Sequence, residues 1–247
     1  MKTLIATTVV ALAALFTVPA ASAAGYSGEL EKANVDVTNQ ASLQRGAQLY
    51  MNYCMACHST EYMRYNRVGR DIGLTDEQVE QNFIFITDED GDLVNPGSLM
   101  KNAMSDAYAD EAFGVTPPDL TLATRIHGED WVYTFLKSFY IDEDRPLGAN
   151  NKVFSNVGMP HILWELQGWQ ELVEDEDGNE RLELVRNGSM TPTEYDRAVR
   201  DLVTYLSYMG EPMQLDRQRI GLYVLIFLAV FTVLAYFLKK EYWKDVH

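Results

Sequence analysis

Cys54-Met55-Ala56-Cys57-His58 contains the only two cysteines in a chain of 247 residues, with a histidine directly behind the second. Two thiols three apart on one helical turn can each add to a vinyl group of the same porphyrin. The next residue then brings an imidazole under the iron. This is the pattern of a c-type haem attachment site. Other uses of a Cys-x-x-Cys pair need company that is missing. A zinc site needs two more soft ligands at similar spacing, and His127, His161 and His247 are scattered singly. A redox dithiol needs a βαβ setting, which this region lacks. A structural disulfide is the remaining use, and it leaves His58 incidental.

Attachment through Cys54, Cys57 and His58 leaves a sixth iron position. An open position suits ligand binding or peroxide chemistry, and a filled one suits electron transfer. Nine methionines besides the initiator are available. Met51, Met55 and Met63 lie too near the cysteines to reach the opposite face, and Met209 and Met213 belong to the last helix and the approach to the membrane. Met159, in "VFSNVGMPHILW", is different: Pro160 biases it away from helical geometry and Gly158 allows a tight turn. Met100, Met104 and His161 remain its rivals on local sequence. Arg125 stands among mostly uncharged neighbours, and an arginine suits a haem propionate, although on local sequence alone a surface or paired arginine is the better explanation.

Several elements must position these residues. Leu43, Gly46, Ala47 and Tyr50 recur at helical spacing, which predicts a first helix leading into the cysteine motif, with Gly46 marking close approach of another helix. A helix capped at Thr75, an irregular loop over "DEDGDLVNPGS", a Pro117-Pro118 turn and a short helix follow. The next helix is expected from Glu129 to about Phe139. "ELVEDEDGNERLELV" reads as an acidic hairpin near 170–186 with its turn at Asp177-Gly178. A final helix capped at Thr191 or Thr193 ends at Gly210 and Pro212.

The ends of the chain define its compartment. Lys2, the apolar run from Leu4 to Val18 and Ala21-Ser22-Ala23 form a secretory leader over residues 1–23. Residues 24–212 are then the exported domain, 213–219 a polar neck, 220–238 a membrane anchor and 239–247 a short tail. Ile220 to Leu238 is uncharged and would span roughly 28 Å as a helix. The leader directs the domain to the periplasm and the tail to the cytoplasm of a bacterial inner membrane. The formal charge is -16, and loss of the leader removes only Lys2's positive charge, so the mature chain stands near -17. Nucleic acid is excluded as a partner by like-charge repulsion. An acidic surface serves solubility, and it also steers a basic protein.

The order of these features resembles the cytochrome c1 family, the haem c subunits of quinol–cytochrome c oxidoreductase (the bc1 complex). "CMACH", "PPDLT", "RIHGEDWVYTFL", "GMP" and "MGEP" before an anchor carry the likeness across nearly all of the mature chain. The resemblance implies a mainly α cytochrome c-like fold with insertions, whose first and last helices cross near Gly46. It implies one covalently bound haem c held by Cys54 and Cys57, with His58 and Met159 as axial ligands, Arg125 at a propionate and Pro118 lining the pocket on the histidine side. It further implies electron relay from a Rieske iron–sulfur protein to a cytochrome c, within a dimeric complex containing cytochrome b. On this reading the chain is an electron-transfer subunit rather than a catalyst alone. A membrane-anchored c-type cytochrome serving a terminal oxidase or reductase is the alternative. The ligand loop "NVGMPHILWELQG" differs from the mitochondrial form.

Overall fold

Asn39 caps the first helix by accepting a hydrogen bond from the Ser42 amide, so α1 begins at Gln40 and runs to Leu49. The computed structural model describes residues 28–88, 90–175 and 178–245; the leader and Asp177 lie outside the described residues. Beyond α1 come β1 (Thr60–Arg64), α2 (Tyr65–Asp71), α3 (Asp76–Phe83), β2 (Leu99–Met100), α4 (Asp106–Phe113), α5 (Ala123–His127) and α6 (Glu129–Lys137). The chain continues through β3 (Phe139–Ile141), β4 (Ala149–Asn151), α7 (Trp164–Gln167), β5 (Gly168–Glu174), β6 (Glu180–Asn187), α8 (Pro192–Gly210) and α9 (Gln214–Tyr242). The architecture is mainly α, with the strands paired as three small antiparallel ribbons.

The core forms where α1 crosses α8. Leu43, Ala47 and Tyr50 are buried on one face of the first helix, and Leu202, Tyr205 and Leu206 on the last. Gly46 sits at the crossing, where any side chain would meet the Asp201 carbonyl. Beside it, Asp201 is buried but accepts from Ser42 Oγ at 2.5 Å and from Arg45 at 2.6 and 3.0 Å. A buried carboxylate is tolerated when it is paired and hydrogen-bonded in this way. The expected crossing near Gly46 is therefore observed.

Capping chemistry sets several boundaries. Thr75 with Gln78, and Thr191 with Glu194, each form a reciprocal capping box, so α8 starts from Thr191 rather than Thr193. The helix expected to reach Phe139 stops at Lys137. Phe139, Tyr140 and Ile141 instead pair with Asn151, Asn150 and Ala149, because aromatic and β-branched residues fit a half-buried ribbon. The hairpin extends slightly beyond its expected limits, from Gly168 to Asn187. The neck is helical too: α9 runs unbroken for 29 residues through the apolar segment, and none of its side chains is buried. At 1.5 Å per residue it is long enough to cross a bilayer and project above it.

Candidate haem site

α1 does not end before the cysteines; it widens. Over Tyr50–Cys54 the backbone makes a π-turn, with the Met55 amide donating to the Tyr50 carbonyl at 2.9 Å. Single π-turns recur at functional sites because they re-aim the following residues. The Cys54 carbonyl then accepts from the Cys57 amide at 3.1 Å and the His58 amide at 2.8 Å. One turn of helix thus carries both thiols and the imidazole. Both cysteines are free. Burial pushes the Cys54 thiol up to about 12 and also raises Cys57.

His58 is fixed from behind. Its Nδ1 lies 2.7 Å from the Pro118 carbonyl. A carbonyl only accepts, so Nδ1 carries the proton and Nε2 keeps its lone pair for a metal. Burial lowers the His58 pKa, opposed by the Pro118 bond and the Asp119 charge, and keeps the ring in the neutral form a ligand requires.

The Pro118 carbonyl is itself held in place. Gly114, at φ +70, ends α4 in a left-handed cap. After Pro117 and Pro118, Asp119 reaches back to β1, accepting from the Glu61 amide at 2.8 Å and from the Thr121 amide at 2.8 Å. The Leu120 amide donates to the Ser59 carbonyl at 2.9 Å. The Pro-Pro turn is therefore stitched to the strand that leaves His58. Asp119 was quoted within "PPDLT" but its role as clamp was not legible there. Asn102, whose side chain donates to the Cys57 carbonyl at 2.5 Å, and Tyr50, whose hydroxyl donates to the His58 carbonyl at 2.6 Å, were also missed. Asn102 has no local sequence signal, and the helical spacing gave Tyr50 only a place on the first helix.

The Met159 loop meets the same turn from another side. A side chain at Gly158 would come within 2.6 Å of Val115, three residues before Pro118. Met159 is half-buried and packs against the cluster of Phe139, Ala149 and Val157. Its rivals stand differently. Met100 is fully buried where β2 pairs with β1, and Met104 is half-buried. His161 is 3% exposed, stacked on Phe139, with Nε2 at 3.2 Å from the Gly168 carbonyl. Burial lowers its pKa to about 4, against the opposing effect of that bond. Arg125 is exposed and pairs with Glu211 at 2.8 Å; Glu211 also bridges to Arg217. Thus Cys54, Cys57, His58 and Pro118 come together directly, whereas Arg125 is engaged at the foot of α8.

The donor set suits a covalent haem: two protonated thiols on one turn and an imidazole with one free nitrogen. Val115, Leu122, Ile126 and Phe154 are apolar and exposed on the segments that carry Pro118, Arg125 and Met159. Apolar side chains of this kind match the faces of a porphyrin.

The Cytochrome C1 family model matches residues 31–246. The chain belongs to the cytochrome c1 family. Cytochrome c1 of Allochromatium vinosum is 53% identical over 241 residues, covering 94% of this chain and 96% of the relative. The protein named ammonia monooxygenase gamma subunit in Nitrosomonas europaea is 43% identical, covering 96% and 97%. Mitochondrial cytochrome c1 of Saccharomyces cerevisiae is 27% identical over 229 residues, covering 84% and 68%. As in other cytochrome c1 proteins, the cofactor is a covalently attached haem c, and the chain serves electron transport.

Proposed function

We propose that this chain is the haem c subunit of a bacterial quinol–cytochrome c oxidoreductase, passing single electrons from a Rieske iron–sulfur protein to a cytochrome c. The observation that carries the site reading is the 2.7 Å bond from His58 Nδ1 to the Pro118 carbonyl, which leaves Nε2 free behind the two thiols. Bound haem c supplies a one-electron ferric/ferrous couple. Cys54 and Cys57 fix its orientation by thioethers, and His58 serves as one axial ligand. Met159 would serve as the other; Met100 is buried in the core, and the buried His161 ring is packed against Phe139 and Trp169. Arg125 is assigned to a propionate by resemblance, and it would exchange or share Glu211 to reach it.

The domain stands on the periplasmic side, with α9 crossing the inner membrane once. The leader at the N-terminus supports this orientation, since Lys239, Lys240 and Lys244 beyond the span are nearly balanced by Arg217 and Arg219 before it. A fixed anchor beside cytochrome b gives a mobile Rieske head a constant target, in a complex expected to be dimeric. A relative from Candida albicans, 27% identical over 230 residues, is named as the catalytic subunit of the cytochrome b-c1 complex, which supports membership of such a complex.

The test is gentle detergent purification through a tag on the C-terminal tail, followed by a reduced-minus-oxidised spectrum. Haem b bands with the haem c band, and a Rieske protein in the same fraction, are expected. A haem c band alone from an intact preparation would instead identify a free membrane-anchored shuttle.

A further inference from the structure

We propose that His161 is the positioning residue of the ligand loop: by tying the loop to the β5–β6 hairpin it sets how firmly Met159 is held as an iron ligand. The inference rests on the reading of Met159 as that ligand. His161 is 3% exposed. Its ring lies parallel to Phe139 at 5.2 Å and 5°, and Trp169 meets it edge-on at 5.4 Å and 88°. Its Nε2 lies 3.2 Å from the Gly168 carbonyl, an acceptor only, so the proton sits on Nε2.

The anchor on the far side of that bond is rigid. Gly168 has φ +93, and a side chain there would lie 2.0 Å from the Arg186 carbonyl across the hairpin. The Arg186 guanidinium covers the Trp169 ring at 5.5 Å. Gln170 donates to the carbonyls of Lys137 and Phe139 at 2.9 and 3.0 Å, fastening the hairpin to β3. Little slack remains on the loop side. Pro160, with its fixed φ, is the one residue between Met159 and His161. Two residues before Met159, Val157 is buried in the same cluster as Phe139. Met159 is therefore bracketed by two buried anchors that share a foundation. An apolar side chain at 161 would fill the space, but only a donor also fixes direction, and a buried polar ring is tolerated because its bond is made.

The test uses the haem-loaded full chain in detergent, with His161→Phe, His161→Gln, His161→Ala, Met159→Ala and Ser42→Ala. Two properties are read: the near-infrared methionine-to-ferric-iron band, and the rate at which imidazole displaces the axial ligand. His161→Phe keeps a ring and loses the donor, so imidazole should enter about fivefold faster, the worth of one net hydrogen bond. His161→Ala should exceed that and weaken the band, while His161→Gln, which keeps a donor, should recover part of the loss. Ser42→Ala, which removes a buried bond to Asp201, should lower stability and leave both readouts unchanged. Wild-type readouts in the folded His161 variants, or equal acceleration in Ser42→Ala, overturn the positioning role while a lost band in Met159→Ala upholds the ligand. If Met159→Ala retains the band, the ligand reading fails and the inference with it. Should His161→Ala not fold, the Phe and Gln variants decide.

Discussion

Gly46 on α1 rests directly against the backbone of Asp201 on α8: a methyl group there would lie 2.1 Å from the Asp201 carbonyl oxygen and 2.7 Å from Tyr205 Cβ. The first atom is backbone and cannot swing aside. Gly46→Ala must therefore push the two helices apart, and Tyr50 and the π-turn lie one turn beyond. We expect a loss of about 3 kcal/mol or more, at the upper end of overpacking costs. The expected outcome in thermal unfolding is a large fall in Tm. A near-normal Tm would contradict the crossing.

Cys54 and Cys57 are expected to contribute one thioether each to the cofactor. Cys57→Ala should retain haem through one thioether, visible as haem staining on a denaturing gel and as a reduced band moved to longer wavelength. The shift follows because one vinyl stays conjugated to the ring. Loss of both cysteines should abolish haem staining. Haem retained covalently without either thiol would remove the attachment reading.

Arg125 is exposed and Glu211 half-buried at the surface, so breaking the pair should change stability little. Glu211→Gln should barely move the denaturant midpoint, as surface pairs do. Arg125→Gln should do the same to stability yet lower the haem midpoint potential measurably, if the guanidinium reaches a propionate. An unchanged potential would leave Arg125 as a tie between α5 and the foot of α8 alone.

The segment before α1 is tied to α6 through Asp130, which accepts from Lys32 Nζ at 2.7 Å and from the Ala33 amide at 2.9 Å. Partial burial pushes the Asp130 carboxyl up, but the Lys32 and Ala33 hydrogen bonds outweigh it and hold its pKa below the usual value. A depressed folded pKa contributes stability above the unfolded pKa, near 3.8, and that stability is lost as pH falls through the folded value. Protection of the Ala33 amide relative to its intrinsic exchange rate should fall in that acid window, and Asp130→Asn should show the lower protection already at neutral pH. Protection that does not change with acid in the wild type would rule out this tie.

Electron delivery to a basic acceptor should be salt-sensitive, because the chain carries a formal charge of -16. Stopped-flow rates with a basic cytochrome c should fall steeply as ionic strength rises toward 0.15 M, where screening acts over about 8 Å. A flat profile would remove electrostatic steering.

Local chemistry carried much of this protein into view. The haem motif needs only covalent spacing, so "CMACH" announced it without any fold. Helical spacing placed Leu43, Gly46, Ala47 and Tyr50 on one face, and all four are buried. The hairpin and the apolar C-terminal helix depend on neighbouring residues and were equally legible, as was the close approach at Gly46, whereas the cap of α8 was legible only as Thr191 or Thr193. Contacts between distant segments were not. That the Pro118 carbonyl orients His58 across 60 positions, that Asp119 clamps it to Glu61, and that Asn102 supports Cys57 depend on where chain reversals bring separate loops. Nothing in "PPDL" states which carbonyl turns inward. The end of α6 at Lys137 was decided likewise, by the partner strand Ala149–Asn151 that Phe139–Ile141 finds only in the folded chain. Sequence determined which chemistry is available, because thiol spacing and apolar periodicity are local; tertiary structure decided the His58 tautomer and the packing of the Met159 loop, because hydrogen-bond direction exists only once distant backbone is brought together.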